Sequence, residues 1–268
     1  MLPETVRVKV WGDFALFTRP EFKVERVSYP FMTPSAARGV LDAILFKPQM
    51  RWHIRRITAL TPWWVQAEQN RPNYRFISFL RNEIQGKISE REVSKAIQGA
   101  KVMEPYFVDS AGREGIQGQN RTQRNSLVLQ DVAYIIDASP ILTSRANQPR
   151  KKPEDVDEPQ GQDSVAKYVA MFNRRVEKGQ SFHHPYFGIR EYACNFSPVT
   201  ANEPVLSTWN EDLGIMLYDL VFDEKGNTPQ FFRAKVLGGV VHCDTMAAGP
   251  NGLPPIRLIG NPEGAIAL

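Results

Sequence analysis

Two short segments in the second half of the sequence contain the residue types that acid–base chemistry on a phosphate ester requires. The first is Lys167-Tyr168, and the second begins with adjacent histidines, His183 and His184. A neutral imidazole can accept a proton from a hydroxyl, and an imidazolium can give one to a departing oxygen. A lysine ammonium can stabilise the charge on a phosphorane. These types are sufficient for a metal-independent ribonuclease, in which an RNA 2′-hydroxyl attacks the neighbouring phosphate.

The histidines also admit interpretations other than proton transfer. Metal binding by the pair fits less well, because neighbours in sequence cannot easily share one ion and no carboxylate or cysteine stands at helical spacing. Packing of either imidazole in a core stays open. His53 is an outside candidate for proton transfer, and His242 is expected to be structural. The sequence has no Walker-type phosphate loop, dinucleotide-binding glycine motif or nucleophile-elbow serine, so we expect no metal and no cofactor.

Basic residues near these segments favour a nucleic-acid partner. Four basic residues and no acid lie between Ala43 and Ala67, and a second basic stretch runs from Ala166 to Glu191. Such clusters beside aromatic side chains are typical of nucleic-acid binding, although solvated surfaces can give the same pattern. The residues expected to contact RNA phosphates are Lys47, Arg51, Arg121, Arg124, Arg174, Arg175, Lys178 and Arg190.

A helix must position the Lys167-Tyr168 pair. Asp163 or Ser164 can cap a helix that runs to about Lys178, and Gly179 can end it. At about 100° per residue, one face is apolar and the opposite face is a cationic row with a phenol beside it. The apolar face consists of Val165, Val169, Phe172 and Val176, and the cationic row of Lys167, Arg174 and Lys178, with Tyr168 and Arg175 beside it.

The first part of the sequence predicts a strand followed by a helix. Valines alternating with basic residues predict a half-buried strand over 6–10 that ends at Gly12-Asp13. Thr33 and Pro34 suit the cap and first position of a helix that stops near Pro48. Further expected elements are one or two strands over 52–67 and helical patches over 81–99.

The second part is richer in strands. A β segment is expected over 127–136, interrupted near Gln130-Asp131. Three prolines and few apolar side chains predict a mobile loop over 145–163. A hairpin is expected from 217–222 and 231–242. This order of elements predicts an α+β fold with an antiparallel sheet.

Composition is that of an ordinary globular protein. The chain has 268 residues, of which 42% are apolar and 23% charged, with a net charge of +4. Its two cysteines, Cys194 and Cys243, are far apart in sequence and argue against a disulfide framework or a four-ligand zinc site. No apolar run approaches the ~18 residues of a membrane helix, and the N-terminus does not resemble a signal peptide. We therefore expect a cytoplasmic protein without membrane contact.

Three longer segments together resemble one known family. They are VWGDFALFTRPEFKVERVSYPFMTPSAARGVLDAILFKP, RTQRNSLVLQDVAYIIDA and AKYVAMFNRRVEKGQSFHHPYFGIREY. In this order they are similar to the subtype I-C (Dvulg) branch of the CRISPR-associated Cas-five family, within the repeat-associated RNA-binding (RAMP) superfamily. The similarity covers residues 6–60, 120–138 and 164–195, and the C-terminal third resembles the family only loosely.

The resemblance implies a ferredoxin-like (RRM-like) domain over 1–200 with the 145–163 loop inserted, and a small β-hairpin region over 201–268. It implies a metal-independent endoribonuclease that cuts CRISPR precursor RNA at the base of the repeat hairpin. The protein then stays on the 5′ handle of the guide RNA (crRNA), beside the backbone and large subunits of the type I-C interference complex (Cascade). In most other branches the protein binds the handle without cutting. That alternative, with contact to duplex DNA, stays open here.

The catalytic pattern of the family matches this sequence only in part. Well-matched members have a tyrosine before the Trp-Lys-Pro that ends the first helix, and a Lys-His pair that opens the late helix. Here Leu45 precedes Phe46-Lys47-Pro48, and the pair is Lys167-Tyr168. A tyrosine base needs a lowered pKa, because its reference value is about 10, and Lys167 and Arg175 could lower it. Alternatively, one of the adjacent histidines is the base. The candidate catalytic residues are Lys167, Tyr168, His183 and His184.

Overall fold

The computed structural model describes residues 5–22, 24–62, 73–84, 94–95, 97–99, 121–147, 163–223, 226–246 and 255–259. Within them, nine strands form one largely antiparallel sheet that carries two long helices. The strands are β1 Val6–Ala15, β2 Arg26–Val27, β3 Met50–Ala59, β4 Arg75–Ile84, β5 Arg121–Leu142, β6 Asn195–Ser197, β7 Glu211–Asp223, β8 Gly226–Leu237 and β9 Val240–His242. The helices are α1 Pro34–Ile44 and α2 Val165–Glu177.

The sheet has the strand order β6-β1-β5-β3-β9-β8-β7, and β2 and β4 also pair with β5. Among the described strands, only the short β2–β5 pairing is parallel. Helix α1 packs against both β3 and β7, although β9 and β8 lie between these strands in the sheet. The sheet therefore curls around α1, and the α+β class with an antiparallel sheet is confirmed.

Strand β1 confirms the predicted N-terminal strand and extends beyond it. Its alternating valines are buried, as the pattern predicts. The strand does not end at Gly12-Asp13 but continues to Ala15, so that part of the prediction is wrong. A Cβ at residue 12 would lie 2.6 Å from the carbonyl oxygen of Ala193. Gly12 therefore permits close backbone approach instead of ending the strand.

Strand β5 is continuous through Gln130-Asp131, so the predicted interruption is wrong. Asp131 has a φ of 52°, but Leu129 before it and Tyr134 after it are buried and paired with neighbouring strands. Packing on both sides therefore carries the strand through one unfavourable residue. The helical patches expected over 81–99 are wrong for 81–84, which belong to β4. Helical backbone is present at 94–95 and 97.

Helix α1 begins and ends where the sequence predicts. The Thr33 hydroxyl accepts a hydrogen bond from the Ala36 amide at 3.2 Å, and Pro34 occupies the first helical position. Leu45 is the C-cap, and Leu41 and Ile44 are fully buried. The end of α1 is thereby fixed in the core.

Helix α2 has the predicted bounds, but one of its faces differs. Ser164 is the N-cap, and Gly179 follows the helix with a φ of 62°. The buried residues are Tyr168, Phe172 and Val176, spaced four residues apart. Helical periodicity predicts Tyr168 beside the cationic row, and this prediction is wrong because Tyr168 lies on the buried face. The Phe172 ring is 4.9 Å from the Trp52 ring of β3.

The predicted C-terminal hairpin is confirmed as β7 and β8. Strand β7 is longer than the expected 217–222, whereas β8 begins earlier than residue 231 and ends at Leu237. The prediction of one strand to residue 242 is wrong, because residues 240–242 form the separate strand β9. The turn residues 224–225 of the hairpin lie outside the described residues, as do 63–67 of the strand expected over 52–67 and 148–162 of the expected mobile loop. Strand β9 joins β8 to β3, so these strands share one sheet and one core with β1 and β5. Among the described helices, none is long and apolar enough to cross a bilayer.

Candidate active site and nucleic-acid interface

The first turn of α2 carries the Lys167-Tyr168 pair, and Asp163 contacts both side chains. Its carboxylate Oδ1 accepts a hydrogen bond from the Tyr168 hydroxyl at 2.7 Å. The same oxygen lies 2.9 Å from the Lys167 ammonium nitrogen. That ammonium is also 5.7 Å from the centre of the Tyr168 ring. Asp163, Lys167 and Tyr168 therefore form one compact group.

These hydrogen bonds determine the charges of the group. Donation from Tyr168 and Lys167 lowers the pKa of Asp163 to about 2, so the carboxylate is ionised at neutral pH. An ionised carboxylate can only accept hydrogen bonds. The Tyr168 phenol must therefore be the donor and carry its proton. A protonated, 1% exposed phenol is poorly placed to take the proton of an RNA 2′-hydroxyl.

The exposed face of α2 confirms part of the predicted cationic row. Arg174 and Lys178 are exposed, and the Lys167 side chain is 36% exposed. Within the described residues, neither Arg174 nor Lys178 has an acidic partner. Arg175 turns inward, and its Nη1 donates to the Ile44 carbonyl at 2.5 Å.

The end of α1 meets α2 through its last carbonyl groups. The Ile44 carbonyl accepts a hydrogen bond from the Arg175 guanidinium, and the Leu45 carbonyl accepts one from the Trp52 indole at 3.1 Å. The Ala43 carbonyl accepts hydrogen bonds from two backbone amides of residues 182–192, which we call the histidine segment. A guanidinium at this end also complements the negative end of the helix dipole. The contacts place α1, α2 and the histidine segment side by side.

The histidine segment is anchored by its backbone and leaves its side chains exposed. The amides of Phe182 and His183 donate to Ala43 at 2.8 and 3.0 Å. His183 and His184 are exposed, and the Phe182 ring is 4.3 Å from the His183 ring. Phe187 is fully buried and anchors the following turn in the core. The structure therefore excludes the interpretation of either histidine as core packing.

A turn after β5 connects this region to Asp163. The Thr143 amide donates to Gln49 at 2.9 Å and its hydroxyl to Pro48 at 2.8 Å. Four residues later, Asn147 exchanges two hydrogen bonds with Asp163. The segment after α1 therefore runs beside α2, from Arg175 towards Asp163.

We call the resulting surface the α1–α2 strip. It consists of Phe46, Lys47, Lys167, Arg174, Lys178, His183 and His184. Lys167 and Arg175 are eight residues apart, an axial rise of about 12 Å. Arg175 contacts Ile44, next to the Ala43 carbonyl that holds His183. Lys167 and the histidines therefore lie towards opposite ends of the strip.

Other predicted phosphate contacts lie elsewhere. Arg51 is bound to Asp219 together with Arg38. Arg124 faces Arg81 on the β4–β5 ribbon, at the far end of β5 from Thr143, and the side chain of Arg121 lies outside the described residues. Exposed Arg190 is in the turn before Tyr192, whose ring packs against Phe14 of β1. These contacts link Arg51 to β7, Arg124 to β4 and the turn of Arg190 to β1.

The remaining histidines are part of structural contacts. His53 Nε2 lies 3.0 Å from Asp244, which is 1% exposed and also pairs with Arg55. His242 is half-buried, and burial lowers its pKa. In the described part of the chain, no three His, Cys, Asp or Glu side chains are arranged to hold a metal ion.

Two residues of the strip region were missed by the sequence analysis as functional candidates. Asp163 was considered only as a helix cap, although its spacing of four from Lys167 is a recognised ion-pair signal. Phe46 was not singled out, yet it is 55% exposed beside Lys47. An exposed aromatic ring beside cations is suited to stacking on an unpaired base.

Comparison with known sequences identifies relatives over most of the chain. A family profile described as Cas_Cas5d, CRISPR-associated protein (Cas_Cas5), matches residues 5–244. A Mannheimia succiniciproducens protein named CRISPR pre-crRNA endoribonuclease Cas5d is 43% identical over 242 residues, which cover 88% of this chain and 93% of that protein. A Thermus thermophilus protein of the same name is 41% identical over 228 residues, which cover 84% of this chain and 77% of that protein.

Solved structures support the fold. One described as "Crystal Structure of CRISPR-associated Protein" aligns with a TM-score of 0.54 at 19% identity, over 90% of this chain and 91% of that chain. The functionally uncharacterized protein SMU1763c from Streptococcus mutans aligns with a TM-score of 0.53 at 18% identity, over 90% and 92%. At these identities the likeness concerns the fold alone.

Proposed function

This chain belongs to the Cas5d group of the CRISPR-associated Cas5 family, and from that premise we propose that it is an endoribonuclease for CRISPR precursor RNA. It cuts at the base of the repeat hairpin and keeps the 5′ handle of the guide RNA. Relatives named pre-crRNA endoribonuclease Cas5d support the activity. The observation that carries the proposal is the α1–α2 strip, which has an exposed histidine pair towards one end and the 36% exposed Lys167 side chain towards the other.

In this proposal, Lys167 and the histidines have separate roles. A histidine takes the proton of the 2′-hydroxyl, and the resulting oxygen attacks the adjacent phosphorus. Lys167 stabilises the added negative charge of the phosphorane. A histidine imidazolium gives its proton to the 5′-oxygen as that oxygen leaves, so the products end in a 2′,3′-cyclic phosphate and a 5′-hydroxyl. These groups alone supply proton transfer and charge stabilisation, so we expect the reaction to proceed in EDTA.

The geometry favours histidine over Tyr168 as the base. Tyr168 is buried and donates its proton towards Asp163, whereas His183 and His184 are exposed. The reaction also requires one imidazole to come within hydrogen-bond reach of the phosphodiester at Lys167. Because Lys167 and the histidines lie towards opposite ends of the strip, the bound RNA must place that phosphate between them.

RNA is proposed to lie along the strip. Arg174 and Lys178 follow Lys167 on α2 and can meet successive phosphates. Phe46 and Phe182, which are 55% and 64% exposed, can stack on unpaired bases at the foot of a hairpin. Partners in this proposal are the guide RNA and the backbone and large subunits of the type I-C complex, in the cytoplasm.

We further infer a ferredoxin-like arrangement for residues 1–200. Its support is the element order β1–α1–β3–β5–α2–β6, which follows the β-α-β-β-α-β pattern when β2 and β4, which both pair with β5, are treated as additions. In the sheet the four strands of this pattern lie in the order β6-β1-β5-β3, and each adjacent pair is antiparallel. In this division, residues 201–268 form a β-rich extension that joins the sheet through β9.

A non-catalytic subunit that binds the guide-RNA handle is the second candidate function. Two buried residues favour it, because they occupy positions where well-matched relatives have catalytic side chains. Leu45, which stands where the family tyrosine is expected, is fully buried. Tyr168, which stands where the family histidine is expected, is 1% exposed. In this case the chain binds RNA along the strip, with duplex DNA as a further partner, and does not cut it.

Incubation of the purified protein with an end-labelled repeat-hairpin RNA in EDTA distinguishes the two candidates. One cut at the 3′ base of the hairpin, leaving a cyclic phosphate, is the expected result. Single His183→Ala and His184→Ala variants then identify the base, whose loss should slow cutting about 100-fold. Tight binding without a cut would refute the nuclease and support the handle-binding subunit.

A further inference from the structure

Asp163 is held on both sides of its carboxylate. Oδ1 contacts the Lys167 ammonium at 2.9 Å and the Tyr168 hydroxyl at 2.7 Å. Oδ2 accepts from the Asn147 amide at 3.3 Å, and the Asp163 amide donates to the Asn147 side-chain oxygen at 2.7 Å. Asp163 is 7% exposed. The carboxylate therefore has a fixed position from which it can restrain a mobile lysine.

Capping of α2 does not account for this arrangement. The cap is Ser164, whose hydroxyl accepts from the Lys167 amide at 3.2 Å. The Asp163 carboxylate instead contacts the side chains of the first helical turn. A lysine has a flexible stem and three donors, so one contact with Asp163 leaves two N–H groups for another anion. The 36% exposure of the Lys167 side chain leaves room for that anion.

We propose that Asp163 is a positioning residue for Lys167, which it holds in place to meet the scissile RNA phosphate. The inference rests on the proposed function, because it assumes that Lys167 meets that phosphate. Asp163 does not touch RNA in this arrangement, and its ionised carboxylate repels nearby phosphates. It therefore weakens RNA binding while it increases the rate of cutting.

The Asp163→Asn variant tests this pair of opposite effects. It removes the negative charge and keeps an oxygen that can accept hydrogen bonds. We expect about 3- to 10-fold tighter binding of a repeat RNA with a 2′-deoxy group at the cut site, because a repulsive charge is lost. Single-turnover cutting of the ordinary RNA should slow about 10- to 100-fold, because the ammonium loses its fixed position.

Two further variants separate charge, position and folding. Asp163→Glu keeps the charge but moves the carboxylate by one methylene, so we expect ordinary affinity with slower cutting. Ser164→Ala is the matched structural control, because it removes the helix cap and leaves Asp163 in place. We expect it to lower thermal stability without tightening RNA binding. Thermal melts of every variant report whether it is folded.

A double variant decides whether Asp163 acts through Lys167. In a Lys167→Met background, Asp163→Asn should slow cutting less than 2-fold further, since there is no ammonium left to position. If the full effect persists in that background, or if Asp163→Asn weakens binding and cutting in proportion, the inference is overturned. If Lys167→Met itself changes neither cutting nor binding, the proposed role of Lys167 fails as well.

Discussion

Strand β3 and helix α2 have similar densities of basic residues in very different surroundings. In β3, the basic side chains form ion pairs with buried carboxylates. The pairs are Arg51–Asp219, His53–Asp244, Arg55–Asp244 and Arg56–Asp137. In α2, Lys167 contacts Asp163, while Arg174 and Lys178 are exposed and have no acidic partner among the described residues. A basic run in the sequence therefore does not measure the charge available to a nucleic acid.

The difference arises from how strands and helices acquire neighbours. A strand inside a sheet has partners on both sides, about 5 Å away, from distant parts of the chain. The acids that meet β3 come from β5, from β7 and from the residues after β9, between 81 and 191 positions along the chain. Among the described residues, Arg174 and Lys178 on the outer face of α2 are exposed. The β3 pairs should thus affect stability, and the α2 cations should affect RNA.

The largest expected effect comes from removal of a buried acid that pairs with basic residues of β3. Asp244→Ala leaves His53 and Arg55 without their shared carboxylate, which is 1% exposed. Breaking a buried ion pair on one side costs about 3–5 kcal/mol, to be measured by urea unfolding. The control is Asp212→Ala, which removes the exposed Asp212–Arg233 pair and should lower the free energy of unfolding far less, because solvent screens exposed pairs. Equal losses in the two variants would refute the distinction between buried and exposed pairs.

Lys167→Ala probes α2 at its first turn. We expect single-turnover cutting to slow about 100- to 1,000-fold, the usual loss for one charge-stabilising group. RNA affinity should fall only a few-fold, because one cation among several is removed. The β3 control is Arg56→Ala, whose guanidinium is paired with Asp137 and which should leave the cutting rate of the folded protein unchanged. Equal losses of cutting and binding in Lys167→Ala would reduce Lys167 to a binding residue.

Local sequence signals predicted where helices begin and end. Thr33 and Pro34 predicted the start of α1, and Gly179 predicted the end of α2, because caps and positive φ angles depend on adjacent residues. Gly12 and Asp131 misled the prediction. Each is a poor strand residue by itself and is held in a strand by contacts with distant segments, such as the Ala193 carbonyl beside Gly12.

The site was predicted less completely than the fold. Periodicity correctly predicted that Arg174 and Lys178 are exposed, but it put Tyr168 on the wrong face. A phenol can be buried once a partner such as Asp163 accepts a hydrogen bond from its hydroxyl. The inward turn of Arg175 depends on the Ile44 carbonyl, 131 residues away. No local pattern encodes that distance. Recognition of the family therefore carried more of the functional prediction than spacing did.

A smaller effect is expected in the pH dependence of stability. Near β3, burial raises the pKa of Asp42 to about 6, despite the nearby Arg38. This folded pKa exceeds the unfolded value of about 3.9. The protonated Asp42 carboxyl therefore contributes stability to the fold below pH ~4, and that contribution is lost as the pH rises through ~6. Asp42→Asn should remove that loss and stabilise the protein at pH 7 by about 1–2 kcal/mol. Urea unfolding at pH 4 to 7 measures it, and an unchanged pH profile would contradict it.

The smallest expected effect tests charge availability most directly. Arg174 on α2 is exposed, whereas the exposed Arg51 of β3 is tied to Asp219. If Arg174 meets one phosphate, Arg174→Ala should reduce the slope of log affinity against log salt by about 0.7, the value for one contact to single-stranded RNA. Arg51→Ala, the matched control, should leave the slope unchanged because its charge is already neutralised by a carboxylate. If both variants reduce the slope equally, the ion pair with Asp219 opens on RNA binding, and the basic residues of β3 belong to the nucleic-acid interface after all.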